Sequence, residues 1–219
     1  MTRTKIAVMI PAYLSVPIPS WASIINFLSG VPEEYEMHIF HSSSPYIHEN
    51  RNMLAKLFEM QDKSIQFDYV FFLDSDIVFG MKDFLALKAK MDEKNASIGS
   101  GVYFNLVGDQ PVPIITRLKE EDDSYTYLTT KELVADNNGV MEYKDQTASG
   151  AGLGFVLCKA QVLRDLFEKN QSTEIFKFRR SKNGLIGEDN VFFEDARKLG
   201  HLLWVFPEIK VGHAKVIVL

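Results

Sequence analysis

Two aspartates separated by one residue, Asp74-Ser75-Asp76, stand at the end of the apolar run Tyr69 to Leu73. Where a strand unravels, two such carboxylates can turn into one cleft. A hard divalent cation needs oxygen ligands, and Mn²⁺ or Mg²⁺ typically takes one or two carboxylates plus substrate phosphates. Aspartates here could equally cap the next helix or shape a turn. Gly187-Glu188-Asp189-Asn190 opens an amphipathic segment carrying Val191, Phe192, Phe193, Ala196 and Leu199. Acidic residues at a helix start complement its dipole, and a carboxylate there can instead act as a general base on a hydroxyl. His213 follows Gly212, ahead of Lys215. Its imidazole could complete a metal shell if the C-terminal strand returns beside Asp74 and Asp76, and Lys215 would then face a diphosphate. Ser149-Gly150-Ala151-Gly152-Leu153-Gly154 allows close backbone approach to a ligand or tight packing. It is no dinucleotide fingerprint, because an apolar run follows it instead of a helix start.

The elements that must position these groups are legible as alternating runs. Ile6 to Ile10 and Tyr69 to Leu73 are continuously apolar, as strands buried on both faces are. Glu36 to Phe40 and Ala96 to Tyr103 read as further strands. Ser20 to Leu28, with Ser20 as N-cap, Glu49 to Met60 and Met81 to Met91 have helical spacing. This β-α-β-α-β-α-β order predicts a parallel sheet with helices on both faces. Such sheets bind ligands beyond the carboxyl ends of their strands, where Pro11-Ala12-Tyr13, the Ser42 turn and Asp74-Ser75-Asp76 all fall. From Gly108 to Gln146 the pattern changes to Pro, acidic and Thr/Tyr-rich sequence, which suggests antiparallel hairpins or a covering insertion, with a turn at Asn138-Gly139. Beyond it are a strand region (Ala148 to Leu157), helices near Ala160–Lys169 and Asn190–Leu199, a basic loop at Arg179 to Lys182, and strands near Leu202–Phe206 and Val216–Leu219.

The 219 residues suit one domain, and 46% hydrophobic residues give enough side chains for a core. A net charge of -5 argues against capture of nucleic acid. The single cysteine, Cys158, excludes an internal disulfide and reads as a buried small hydrophobe. No apolar stretch approaches a membrane span or a signal segment. A cytoplasmic location is therefore expected, in a host's cytoplasm if the chain is viral.

In order along the chain stand Ile10-Pro11-Ala12-Tyr13, Glu49-Asn50-Arg51-Asn52, Phe72-Leu73-Asp74-Ser75-Asp76, Ser149 to Gly154, Gly187-Glu188-Asp189-Asn190, Leu199-Gly200-His201 and Val211-Gly212-His213. Their order and spacing resemble GT-A-fold nucleotide-sugar glycosyltransferases close to family 2, including small stand-alone modules of microbes, phages and large DNA viruses. The resemblance spans nearly the whole chain. It implies an α/β, Rossmann-like GT-A domain over residues 1–219. The sheet would be mostly parallel and flanked by helices, with a small antiparallel annex. Residues 1–105 would form the nucleotide-binding half and 106–219 the acceptor and catalytic half.

The resemblance also implies roles. Pro11, Ala12 and Tyr13 would line the nucleobase pocket, with Arg51 near the base or diphosphate. Asp74 and Ser75 would contact the donor. Asp76, Asp74 and His213 would hold Mn²⁺ or Mg²⁺, and Lys215 would face the diphosphate. Gly150, Ala151 and Gly152 would border the sugar and the acceptor. Asp189 would be the base, with Glu188 as second choice. The donor would be a nucleoside diphosphate sugar, with UDP the family's commonest nucleotide. The acceptor would be a hydroxyl of a glycan or glycoprotein, and inversion is favoured. His41-Ser42-Ser43-Ser44 stands where many relatives carry an acidic base-reading residue, and Arg179 to Lys182 matches a mobile flap. Two alternatives remain open. Asp74-Ser75-Asp76-Ile77-Val78 also fits the nucleophile loop of haloacid dehalogenase-type phosphatases, and a binding module without catalysis could keep the same residues.

Overall fold

Ile6 to Ile10 forms the middle of β1 (Thr4–Ala12), and its side chains divide between two apolar layers. Ala7 and Met9 point to one face, Ile6, Val8 and Ile10 to the other. A strand wanted by both layers has no room for polar alternation. The computed structural model describes residues 2–13, 15–135, 141–142, 149–170 and 174–214.

After β1 come α1 (Ile18–Ser29), β2 (Tyr35–Ser43), α2 (Ile47–Ile65), β3 (Tyr69–Leu73), β4 (Ile77–Val78), α3 (Met81–Glu93) and β5 (Ile98–Val102). The middle holds β6 (Phe104–Val107), β7 (Gln110–Pro113), β8 (Ile115–Lys119), β9 (Ser124–Tyr127), α4 (Thr130–Ala135) and β10 (Met141–Glu142). The last third adds β11 (Ser149–Ala151), β12 (Phe155–Lys159), α5 (Ala160–Asn170), β13 (Arg179–Ser181), β14 (Gly184–Ile186), α6 (Glu188–Lys198), β15 (Leu203–Lys210) and β16 (Gly212–His213).

Seven strands make the main sheet, in the order β10-β15-β5-β12-β3-β1-β2. β1 runs parallel to β2 and β3, and β5 parallel to β15. β12 runs antiparallel between β3 and β5. The simple βα series read from the first hundred residues is therefore corrected at one point. β5 does not join β3, because β12 takes the place between them. α2, α5 and α6 bury Leu54, Phe58, Leu163, Leu166, Phe192 and Ala196 on one face of the sheet. α1 and α3 bury Ile24, Phe27, Phe84 and Leu87 on the other. The expected annex is present as a three-stranded antiparallel sheet β11-β8-β9 and as the hairpins β6–β7 and β13–β14.

Two local expectations are corrected. Ser20 does not cap α1; the helix begins at Ile18 after Pro17, and Ser20 is buried in its first turn. Pro19 suits the first turn because its fixed φ is already helical and its missing N–H is not needed there. The basic stretch at Arg179 is the base of a hairpin rather than a loop. Cys158 is buried as expected, and burial pushes its thiol pKa up. Among the described residues no helix is long and apolar enough to cross a membrane. The expected turn at Asn138-Gly139 and strand at Val216–Leu219 lie outside the described residues.

Candidate active site

Three strand ends build a cleft of about 400 Å³. Pro11, Ala12 and Tyr13 leave β1, Ser44 and Pro45 follow β2, and Asp74, Ser75 and Asp76 follow β3. β1 and β2 stay paired as far as Ala12 and Ser43. Asn50 of α2 holds the two ends together. Its Nδ2 donates to the Ala12 carbonyl (3.2 Å) and the Ser44 carbonyl (2.9 Å), while Ser42 Oγ donates to its Oδ1 (3.0 Å). A rigid, concave crevice at the strand ends is the site expected of this topology.

The Asp74-to-Ile77 segment is a turn fixed by backbone bonds. Asp74 N–H donates to the Gly154 carbonyl (3.0 Å), and Ile77 N–H to the Asp74 carbonyl (3.2 Å). β4 then pairs with β16, setting His213 opposite Ile77. Ala214 N–H closes the arrangement on the Asp76 carbonyl (2.7 Å). The imidazole Nε2 lies 3.0 Å from Asp76 Oδ2, and Nδ1 lies 3.2 Å from the Phe104 carbonyl. An oxygen from Asp76, which lines the cleft, thus meets a nitrogen from His213, although 137 residues separate them in sequence. Among the described residues no three His, Cys, Asp or Glu side chains converge as a metal cage. A pair of protein ligands fits an ion that takes its other ligands from phosphates and water.

Asp74 faces a different partner. Both its oxygens accept from Arg51 Nη2, at 2.9 and 3.1 Å, and Arg51 Nη1 donates to Glu188 Oε1 at 2.6 Å. Arg51 is only 4% exposed and does not line the cleft. Burial alone would lower its pKa, but Asp74, Asp189 and Glu188 outweigh burial and raise it. The guanidinium is a fixed buried cation beneath three carboxylates.

Asp189 sits in the first turn of α6, anchored through Phe192, whose ring is 5.6 Å from that of Phe72 on β3. Burial raises the Asp189 carboxyl to about 6, with Arg51 opposing the shift and Glu188 adding to it. Asp189 opens on a second cleft of about 390 Å³, between β9, β14 and the start of α6.

The glycine-rich run lies between the two clefts. A methyl group at Gly152 would overlap the Tyr103 hydroxyl, and one at Gly154 would come within 2.8 Å of it. A methyl group at Gly150 would overlap Asn190 Oδ1. These glycines are therefore cut away to seat Tyr103 and Asn190, and Ala151 is buried in the core. The Tyr103 hydroxyl accepts from Gly154 N–H (3.2 Å), and its ring meets His213 edge-on at 5.2 Å. Burial, then the nearby Asp74 and Asp189, hold its phenol well above the ordinary value. Tyr103 was not singled out from the sequence. Its signal was its place at the carboxyl end of a predicted strand. Lys215 lies outside the described residues.

This arrangement of sheet, strand-end cleft and annex is the GT-A fold. The chain matches no family model and no curated protein. Among solved structures it is similar to A197 from STIV, with 23% identity and a TM-score of 0.59 over 98% of this chain and 87% of that one. It is also similar to GalNAc-T7, solved with UDP, GalNAc and Mn²⁺, with 11% identity and a TM-score of 0.59 over 99% of this chain. The match covers 44% of the GalNAc-T7 chain. Both likenesses show the shared fold.

Proposed function

We propose that the chain is a metal-dependent glycosyltransferase. It would move a sugar from a nucleoside diphosphate donor, with UDP favoured, to a hydroxyl of a glycan or glycoprotein, with inversion. The observation that carries this reading is the meeting of His213 with Asp76, a residue that lines the strand-end cleft, together with Asp189 opening on a second cleft. The GT-A fold supports it, as do the UDP and Mn²⁺ bound to the similar GalNAc-T7.

In this reading Pro11, Ala12 and Tyr13 wall the nucleobase, and Asp74 and Ser75 border the ribose and diphosphate. Asp76 and His213 would hold Mn²⁺ or Mg²⁺, which supplies positive charge to the departing diphosphate. Asp189 takes the acceptor hydroxyl's proton. The acceptor oxygen forms its bond to the anomeric carbon as the carbon–oxygen bond to the diphosphate breaks, and the diphosphate leaves with that electron pair. A base near pKa 6 is mostly ionised at neutral pH, yet more basic than an ordinary aspartate. Arg51 keeps its proton throughout and holds Asp74 and Glu188 in place.

The test is a thermal-shift panel of UDP, GDP, CMP and dTDP sugars with and without Mn²⁺. A ligand that binds the folded state raises the melting temperature by mass action. With two protein ligands for the ion, Mn²⁺ alone should shift it little, and Mn²⁺ with the right nucleotide should shift it clearly. A flat response to every donor would overturn the assignment.

A further inference from the structure

The second cleft has a lining chemistry of its own, distinct from that of the donor cleft. Among the described residues lining it, Asp189 is the sole charged side chain. The rest of its polar lining is hydroxyl and amide, from two tyrosines, Thr116, Ser124, Ser181, Asn183 and Asn190, of which Ser124 Oγ and Asn183 Nδ2 already donate to Asp122 and offer a sugar their remaining lone pairs or second N–H. Asn190 Oδ1 accepts the Thr116 hydroxyl at 2.7 Å, which leaves the amide N–H groups as its available polar face. Two apolar surfaces stand among these groups, the Tyr127 ring (53% exposed) and Leu185 (64% exposed).

The walls are fixed rather than open-ended. Arg179, at the base of the β13–β14 hairpin, binds Asp123 at 2.6 and 2.8 Å and Glu194 at 2.7 and 3.1 Å. Tyr125, a lining residue, donates its hydroxyl to the same Glu194 at 2.9 Å. The guanidinium is thus spent inside the wall, and it ties hairpin, β9 turn and α6 together. Arg180 and Lys182 do not line the cleft. Among the described lining residues an anionic ligand would find the Asp189 carboxylate and no cation.

We propose that this cleft takes a neutral carbohydrate, with one sugar ring packed on the exposed face of Tyr127 and its hydroxyls bonded to the Asn and Ser/Thr side chains. Each sugar hydroxyl both donates and accepts, as do amides and hydroxyls, whereas carboxylates only accept and ammonium groups only donate. The C–H face of a sugar ring is apolar and suits an aromatic plate, and a few polar groups on an apolar wall are the usual build of a small-molecule site. That the carbohydrate is the acceptor rests on the transferase reading above.

Saturation-transfer NMR with neutral di- and trisaccharides, with and without UDP and Mn²⁺, tests the cleft directly. Saturation should reach ring C–H protons. Tyr127→Ala should weaken binding about tenfold and Tyr127→Phe should restore it. Unchanged saccharide binding by folded Y127A would overturn the proposal. So would binding of uronic-acid sugars or serine peptides in preference to neutral saccharides. Donor hydrolysis, measured separately, decides the transferase reading: a chain that hydrolyses a nucleotide sugar but binds no neutral saccharide keeps that reading and loses this one.

Discussion

A single guanidinium holding two carboxylates from distant parts of the chain makes Arg51 the most consequential residue of the site. It is buried, and its partners Asp74 and Glu188 lie 23 and 137 residues away. Removing one member of a buried ion network leaves the other charges uncompensated, at a cost of about 3–5 kcal/mol. Arg51→Ala should lower stability by about that amount at pH 7.5, read as a shift in the urea midpoint. Lysine carries one compact charge and lacks the fork that reaches two carboxylates, so Arg51→Lys should recover only part. If R51A unfolds at the wild-type midpoint, the network is not structural. Asp189 makes a separate, kinetic prediction. Loss of a general base costs about 10²–10⁴-fold, so Asp189→Asn should show that fall in kcat. In the wild type, kcat/KM should rise with pH and level off above about 6; a flat profile through that range would argue against Asp189 as base. From the sequence alone Arg51 could only be placed near the donor through resemblance. An ion pair spanning 137 residues leaves no local pattern, so its burial was not legible.

At the scale of elements, β1 and β3 were legible because a strand buried on both faces must be apolar throughout, whereas β2, a half-buried edge strand, was read from the shorter segment Glu36 to Phe40. The place of β12 was not legible. Gly154 to Cys158 reads as a strand by its apolar run, but nothing local says that it runs antiparallel between β3 and β5. That placement matters to the site, because the Gly154 carbonyl at the start of β12 receives Asp74 N–H and fixes the turn. The glycines before β12 follow the same logic: sequence allowed either ligand contact or close packing, and close packing on Tyr103 is what the geometry has. Gly152→Ala would drive its methyl group into the Tyr103 hydroxyl and to 2.7 Å from Ile114 Cγ2. Overpacking of this kind costs about 1–3 kcal/mol. Removing the hydroxyl relieves the tightest of three close contacts, leaving Ile114 Cγ2 at 2.7 Å and Tyr103 Cζ at 2.9 Å, so the double variant Gly152→Ala/Tyr103→Phe should be less destabilised than the two single effects added. Simple additivity in a double-mutant cycle would mean that the two residues do not press on each other.

For the molecule as a whole, the pH dependence of folding sums opposing carboxylates. Asp62 is held below the usual range by the Arg164 and Phe67 N–H bonds, although burial pulls the other way, and Asp195 is held low by Lys198 and Lys177 against the same pull. Such groups stabilise the fold above their unfolded pKa, and that contribution is lost as pH falls through their folded values. Asp189 has the opposite sign. Burial lifts it from 3.8 to about 6, so the folded chain keeps a proton that the unfolded chain has already released. Its contribution is most favourable below pH 3.8, declines as pH rises towards 6 and is constant above. A shift of about two units corresponds to roughly 3 kcal/mol as an upper bound. The wild-type curve alone cannot separate these terms, but its difference from Asp189→Asn can, since the variant keeps every other carboxylate. The two should be equally stable near pH 4. Above pH 6 the inactive variant should be the more stable, by up to roughly 3 kcal/mol, as expected where function has placed a charge that folding would rather leave in water. Urea midpoints at pH 4, 5, 6 and 7.5 would check this. A difference that stays constant across that series would mean that Asp189 titrates like an ordinary surface aspartate, and the base assignment would lose its electrostatic support.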